Sequence, residues 1–187
     1  MRGIGGATVM GSASDKNPSP KNGLAKVEGI ILSRHVAGLR RVDPRKVPTA
    51  EWVRIKCQFG CGGYGQCLTC PPYAPTPEQT RRLLDSYTIG YLIHWGHKAG
   101  KRQALADIER EIFLAGWHKA FAMATGPCEL CRECNVEEGC THPSLARPSM
   151  EACGIDVFQT ARDAGFPIRV VASHKDKPNF FSLLLVE

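Results

Sequence analysis

Nowhere in the chain do eighteen apolar residues run together, and the first twenty-three residues, MRGIGGATVMGSASDKNPSPKNG, contain no continuous apolar segment. The first absence argues against a membrane span and the second against a secretory signal, so the expected compartment is the reducing cytoplasm, with no membrane partner. No SxxK, HExxH, GxSxG or phosphate-loop signature occurs, which removes the commonest acyl-transfer, zinc-protease and nucleotide-handling readings. The CxxxCxxC triplet of radical enzymes is missing too, since Cys61 is followed by Cys67 rather than by a cysteine three places on. Aromatic residues make up only 7%, and Lys and Arg fall in scattered pairs such as Arg40–Arg41 and Arg81–Arg82. A net charge of +6 without a basic stripe or interleaved aromatics gives a nucleic-acid partner no support.

What the chain has in excess is cysteine: nine in 187 residues, an odd number in a chain larger than most disulfide scaffolds. In a reducing compartment, clustered cysteines point to metal. Four of them, Cys128, Cys131, Cys134 and Cys140, occupy thirteen positions of the stretch TGPCELCRECNVEEGCTHPSLARPSMEACGI, which runs from Thr125 to Ile155. Three recur every third residue, a spacing that serves a metal or cluster better than disulfides, whose geometry is restrictive. A proline three residues after Cys140 makes the run partly ferredoxin-like, although the five-residue gap before Cys140 is longer than the three found there. A second group, Cys57, Cys61, Cys67 and Cys70, lies in VRIKCQFGCGGYGQCLTCPPYAP, between Val53 and Pro75. Its glycines permit positive φ and let backbone N–H groups turn toward sulfur. Two four-cysteine sites are therefore expected, holding one or two [4Fe–4S] clusters, with zinc as the alternative metal. Two four-thiolate clusters with 2+ cores would bring the formal charge down to about +2, so part of the basic excess can be a counterweight. The ninth cysteine, Cys153, reads as a small buried hydrophobe.

With 43% hydrophobic residues the chain can bury one real core. We expect a disordered leader over 1–23 and one cysteine-rich domain over 24–187. A first strand is predicted over Lys26–Val36 from its Ile30, Ile31, Leu32 centre, and a basic loop over Ala37–Ala50. Thr76, Pro77 and Gln79 spell a capped helix start, with the helix running to about Tyr87. Ile89–Trp95 reads as a buried strand ending at His94 and His97, neither needed as a ligand. Lys101–Trp117 carries Leu105, Ile108 and Ile112 at helical spacing. Lys119–Ala124 is a strand feeding the cluster loop, Ser149 caps a helical turn, and Asp156 with Gln159 forms a second capping box. Ile168–Ser173 and Phe180–Val186 read as a terminal hairpin. The class is α+β: a single domain with a mixed β-sheet, helices mainly on one face, and two cysteine-rich loops outside the regular elements.

The signatures CQFGCGGYG…CPPYAPT and GPCELCREC…C…P…ARPSMEACGIDV, in this order, resemble the predicted metal-binding proteins of domain-of-unknown-function family 2284 over roughly Lys26–Glu187. The resemblance implies metal binding of iron–sulfur type, without a settled reaction. Cys57, Cys61, Cys70, Cys128, Cys131, Cys134 and Cys140 match the family pattern, whereas Cys67 is an addition to it. If all eight thiols ligate, the expected function is an electron-transfer or cluster-carrying module that works with a redox partner protein. If Cys67 is a neighbour only, Cys57, Cys61 and Cys70 leave one iron open, and the protein is a redox enzyme or maturation factor. A zinc-stabilised interaction domain is the third reading.

Overall fold

The computed structural model describes residues 20–97 and 101–187. The expected leader therefore lies largely outside the described residues, and its last four, 20–23, open a helix. Described elements follow in the order α1 (Pro20–Leu32), β1 (Gly38–Val42), a 3-10 turn (Pro44–Lys46), α2 (Glu51–Gly60), α3 (Pro77–Asp85), β2 (Gly90–His94), α4 (Arg102–Leu114), β3 (Phe121–Met123), α5 (Val157–Asp163) and β4 (Phe181–Leu185). The four strands make one sheet in the order β1-β2-β4-β3. Leu39 faces Ile93, Leu92 faces Leu183 and Ala122 faces Leu184.

The domain is α+β, but every ladder is antiparallel rather than mixed, and the helices cover both faces instead of one. Side-chain alternation explains the second point. Tyr91, Ile93, Ala122 and Leu184 point to a core shared with Val27 and Ile31 of α1 and with Leu105, Ile108 and Ile112 of α4. Their neighbours Leu92, Met123, Leu183 and Leu185 point the other way, to Leu84 of α3 and Val157 and Ala161 of α5. A sheet apolar on both faces needs a layer on each.

Besides α2, which takes up the start of the expected first cysteine loop, three elements differ from expectation. Lys26–Val36 is no strand: Val27 and Ile31 sit four apart on one helical face and are completely buried, each worth about 1.5–3 kcal/mol of apolar burial. The β-branched run at Ile30–Ile31 masked that spacing. β1 occupies the expected basic loop, and its exposed Arg40 and Arg41 mark it as a sheet edge. The terminal hairpin is replaced by a single central strand. β4 is buried at all five positions and pairs with β2 and β3, while Val170 and Val171 stay exposed outside any strand.

Local chemistry fixes the helix starts. The Thr76 hydroxyl accepts from Gln79 N at 3.1 Å, and Thr76 N donates to Gln79 Oε1 at 2.8 Å, completing the predicted box. At α5 only half of it forms, because Gln159 N reaches Asp156 at 3.0 Å while the Gln159 amide turns to Asp163 at 2.6 Å. Gly154 adopts φ +77°, and an added Cβ would lie 2.4 Å from Pro77 Cγ. Gly154→Ala is accordingly expected to destabilise the protein by about 3 kcal/mol or more, read as a lower urea midpoint.

Candidate metal centre

Two necks hold the cysteine segments against the sheet. Just beyond β3, Ala124 N donates to Pro148 O at 2.8 Å and Met150 N to Ala124 O at 3.2 Å, so residues 125–148 leave and return at one point. Arg102, at the start of α4, is buried and reinforces this neck: its guanidinium donates to the carbonyls of Arg147, Gly126 and Pro127 at 2.6–2.9 Å. Close by, Arg147 grips both carboxylate oxygens of Glu109 at 2.6 and 2.8 Å, and Glu109 also accepts Ala122 N at 2.7 Å. The second neck ties α2 to the turn before α5, through Ala50 N to Gly154 O and Asp156 N to Pro48 O.

On these supports the eight candidate thiols divide unevenly. Cys57 rides on α2 rather than in a loop, where Val53 faces inward and Glu51 favours the N-terminal turn. Cys61 caps that helix in extended conformation. With Cys70 and Glu151 they line a cavity of about 120 Å3. Gly63 lies between two of the sulfurs: a Cβ there would stand 3.4 Å from Cys70 Sγ and 3.7 Å from Cys61 Sγ, and its N–H donates to Cys61 Sγ at 3.5 Å. The absence of a side chain lets backbone approach sulfur.

Cys128, Cys131, Cys134 and Cys140 line a second, larger cavity of about 320 Å3, and the fifth thiol on its wall is Cys67 from the first segment. Cys131 Sγ lies 3.4 Å from both Thr141 Oγ1 and His142 Nδ1, and His142 N donates to Cys140 Sγ at 3.4 Å. Among the described residues, no three His, Cys, Asp or Glu side chains are gathered closely enough to grip a single ion. A volume of this size between five thiols has room for a group of several atoms.

Acidities vary with placement. Cys70 is pushed up to about 11, by burial first and then by the negative charges that Cys67 and Cys61 would carry. Cys57 and Cys128 are raised chiefly by burial. Burial also works against ionisation of Cys67, yet hydrogen bonds from Thr69, Cys134 and the backbone of Cys128 hold it below the usual thiol range. Thiols that oppose each other's ionisation favour a cation among them, which a metal supplies.

A family model described as "Predicted metal-binding protein (DUF2284)" matches residues 40–186. The chain belongs to this family. All nine cysteines of this DUF2284 protein lie within the matched span. Neither a curated protein nor a solved structure matches the chain.

The family assignment and the cysteine-lined cavities together make metal binding the coarse function. Cys153 stands apart from both cavities. It is fully buried in the core on the α3–α5 side of the sheet, and burial pushes its thiol up to about 12. His94 is also structural, stacking on Phe181 at 4.7 Å with Nε2 2.9 Å from Asn179 Oδ1, and His97 Nδ1 lies 2.7 Å from Pro178 O. Two residues near the site carried no sequence signal. Arg102 reads as one of many scattered basic residues, and Glu151 as part of a helical turn. No described helix is long and apolar enough to cross a membrane.

Proposed function

We propose that this DUF2284 protein is an iron–sulfur redox protein with two unequal centres. Four of the five thiols Cys67, Cys128, Cys131, Cys134 and Cys140 would hold a thiolate-closed cluster that passes electrons to and from a partner protein. Cys57, Cys61 and Cys70 would hold a cluster with one coordination position left for a molecule from outside, as open catalytic metal sites keep one. The observation that carries the reading is the side on which Cys67 lies: it lines the larger cavity and not the smaller one. The donor set fits, because thiolate sulfur is the ligand of iron–sulfur clusters and both cavities are walled by it. When bound, such clusters supply one-electron transfer, and an open iron adds Lewis acidity.

The chain's own groups would tune these centres. Gly63 N–H at Cys61 and His142 N–H at Cys140 place positive dipole against sulfur, which stabilises the more negative, reduced form. The fixed charge of Arg102 acts on Cys128 in the same sense. Pro71 and Tyr64, with Gly126 and Pro127, also line the smaller cavity.

Anaerobic purification with iron, sulfide and zinc analysis tests the reading. A brown protein with about eight iron atoms and as many labile sulfides per chain is expected. Colourless protein with stoichiometric zinc overturns the iron–sulfur assignment. The reduced protein should show two electron paramagnetic resonance signals, one of which shifts with cyanide, and Cys67→Ser should leave that shift in place. If Cys67→Ser creates a cyanide shift where the wild type has none, both centres are closed and the protein is a carrier.

A further inference from the structure

Between α2 and α5 lies a third cavity, of about 380 Å3, within the range of small-molecule sites. Trp52, Val53, Ile155, Phe158, Ile168 and Val171 give it apolar walls. Its remaining wall includes Cys57, Cys61 and Glu151, and these same three residues line the smaller thiol cavity. A molecule filling the apolar space therefore lies against the three-thiol centre. At this shared wall Glu151 Oε2 is sealed from solvent and takes no hydrogen bond.

The charges around the cavity define the ligand. Lys56 and Arg169 are exposed on its lining and form no ion pair among the described residues; Lys56 Nζ instead stands 5.2 Å over the Trp52 ring. Asp156 also lines it, but its Oδ1 is already engaged by Gln159 N. Two cations without an ion pair on the lining of an apolar cavity suit a molecule with an anionic head and an apolar body.

We propose that this cavity binds a small organic monocarboxylate with an apolar body, its carboxylate received by Lys56 and Arg169 and its body lying beside Cys57 and Cys61. The proposal names the substrate class of the open centre and rests on that reading for its role, whereas binding itself needs only the cavity. The test uses the full-length, iron-loaded protein with phenylacetate as probe and 2-phenylethanol as the neutral control. Titration is followed by calorimetry and tryptophan fluorescence. Phenylacetate should bind roughly tenfold more tightly than 2-phenylethanol, and K56Q and R169Q should each weaken it several-fold without changing iron content or melting temperature. Bound phenylacetate should also shift the cyanide-sensitive resonance signal. Equal affinity for the acid and the alcohol, with both variants unchanged and iron and sulfide present, overturns the pocket while leaving the two-centre reading intact. Selective phenylacetate binding to a chain that holds zinc and no sulfide upholds the pocket and overturns the iron–sulfur reading.

Discussion

Replacing Cys131 by serine is expected to remove about half of the bound iron and sulfide, because one poorly matched ligand disfavours assembly of its own cluster only. Cys57→Ser should remove the complementary half, and the double variant nearly all. The expectation follows from the two cavities: Cys131 lines one and Cys57 the other, with no candidate thiol common to both. Cys67→Ser belongs with Cys131, so any loss it causes should fall on that centre. Iron analysis with resonance spectra of each variant checks the assignment. Loss of all iron from either single variant would mean one shared centre bridged through Cys67, which is close enough to Cys70 to perturb it. Cys153→Ser should leave iron unchanged and still destabilise the protein by about 1–3 kcal/mol, since it puts a hydroxyl into an apolar core.

Arg147→Met should cost about 3 kcal/mol of folding stability, the low end for breaking a buried ion pair. Glu109 and Arg147 side chains are only 13% and 15% exposed, so removing the guanidinium leaves a carboxylate largely cut off from water. Glu109→Gln should cost less, because its amide oxygen can still accept Ala122 N–H. The double variant Glu109→Leu with Arg147→Met should recover part of the loss, since no unpaired charge remains. Anaerobic denaturant melts of the four proteins measure this directly. The pair braces the neck of the 125–148 loop, so iron loss in Arg147→Met should also be faster from the Cys131 centre than from the Cys57 centre. Equal acceleration at both would show that the pair supports the fold at large.

The two cysteine-rich segments, the capped start of α3, the buried strand β2 and the helix α4 were legible from spacing alone. Each rests on interactions within a few residues: Thr76 with Gln79, Leu105 with Ile108 and Ile112, one cysteine with the third residue on. Family membership was legible for the same reason, carried by two contiguous signatures. Where β-branched residues cluster, as at Ile30–Ile31, local propensity and helical spacing disagree, and contact with α4 decides for helix.

The sequence by itself thus determined membership of a predicted metal-binding family, and which cysteines are at hand. Only the tertiary structure decided how they are shared. Cys67 stands three residues from Cys70 in the chain, yet it faces the loop that begins at Cys128, because the necks at Ala124–Ser149 and Thr49–Ile155 bring the two segments side by side. Glu151 likewise reaches the thiol wall through the fold of the turn that follows the second loop. Ligand grouping is a matter of distance in space, and residues sixty apart in sequence meet only once a sheet with helices on both faces has set the ends of its loops together.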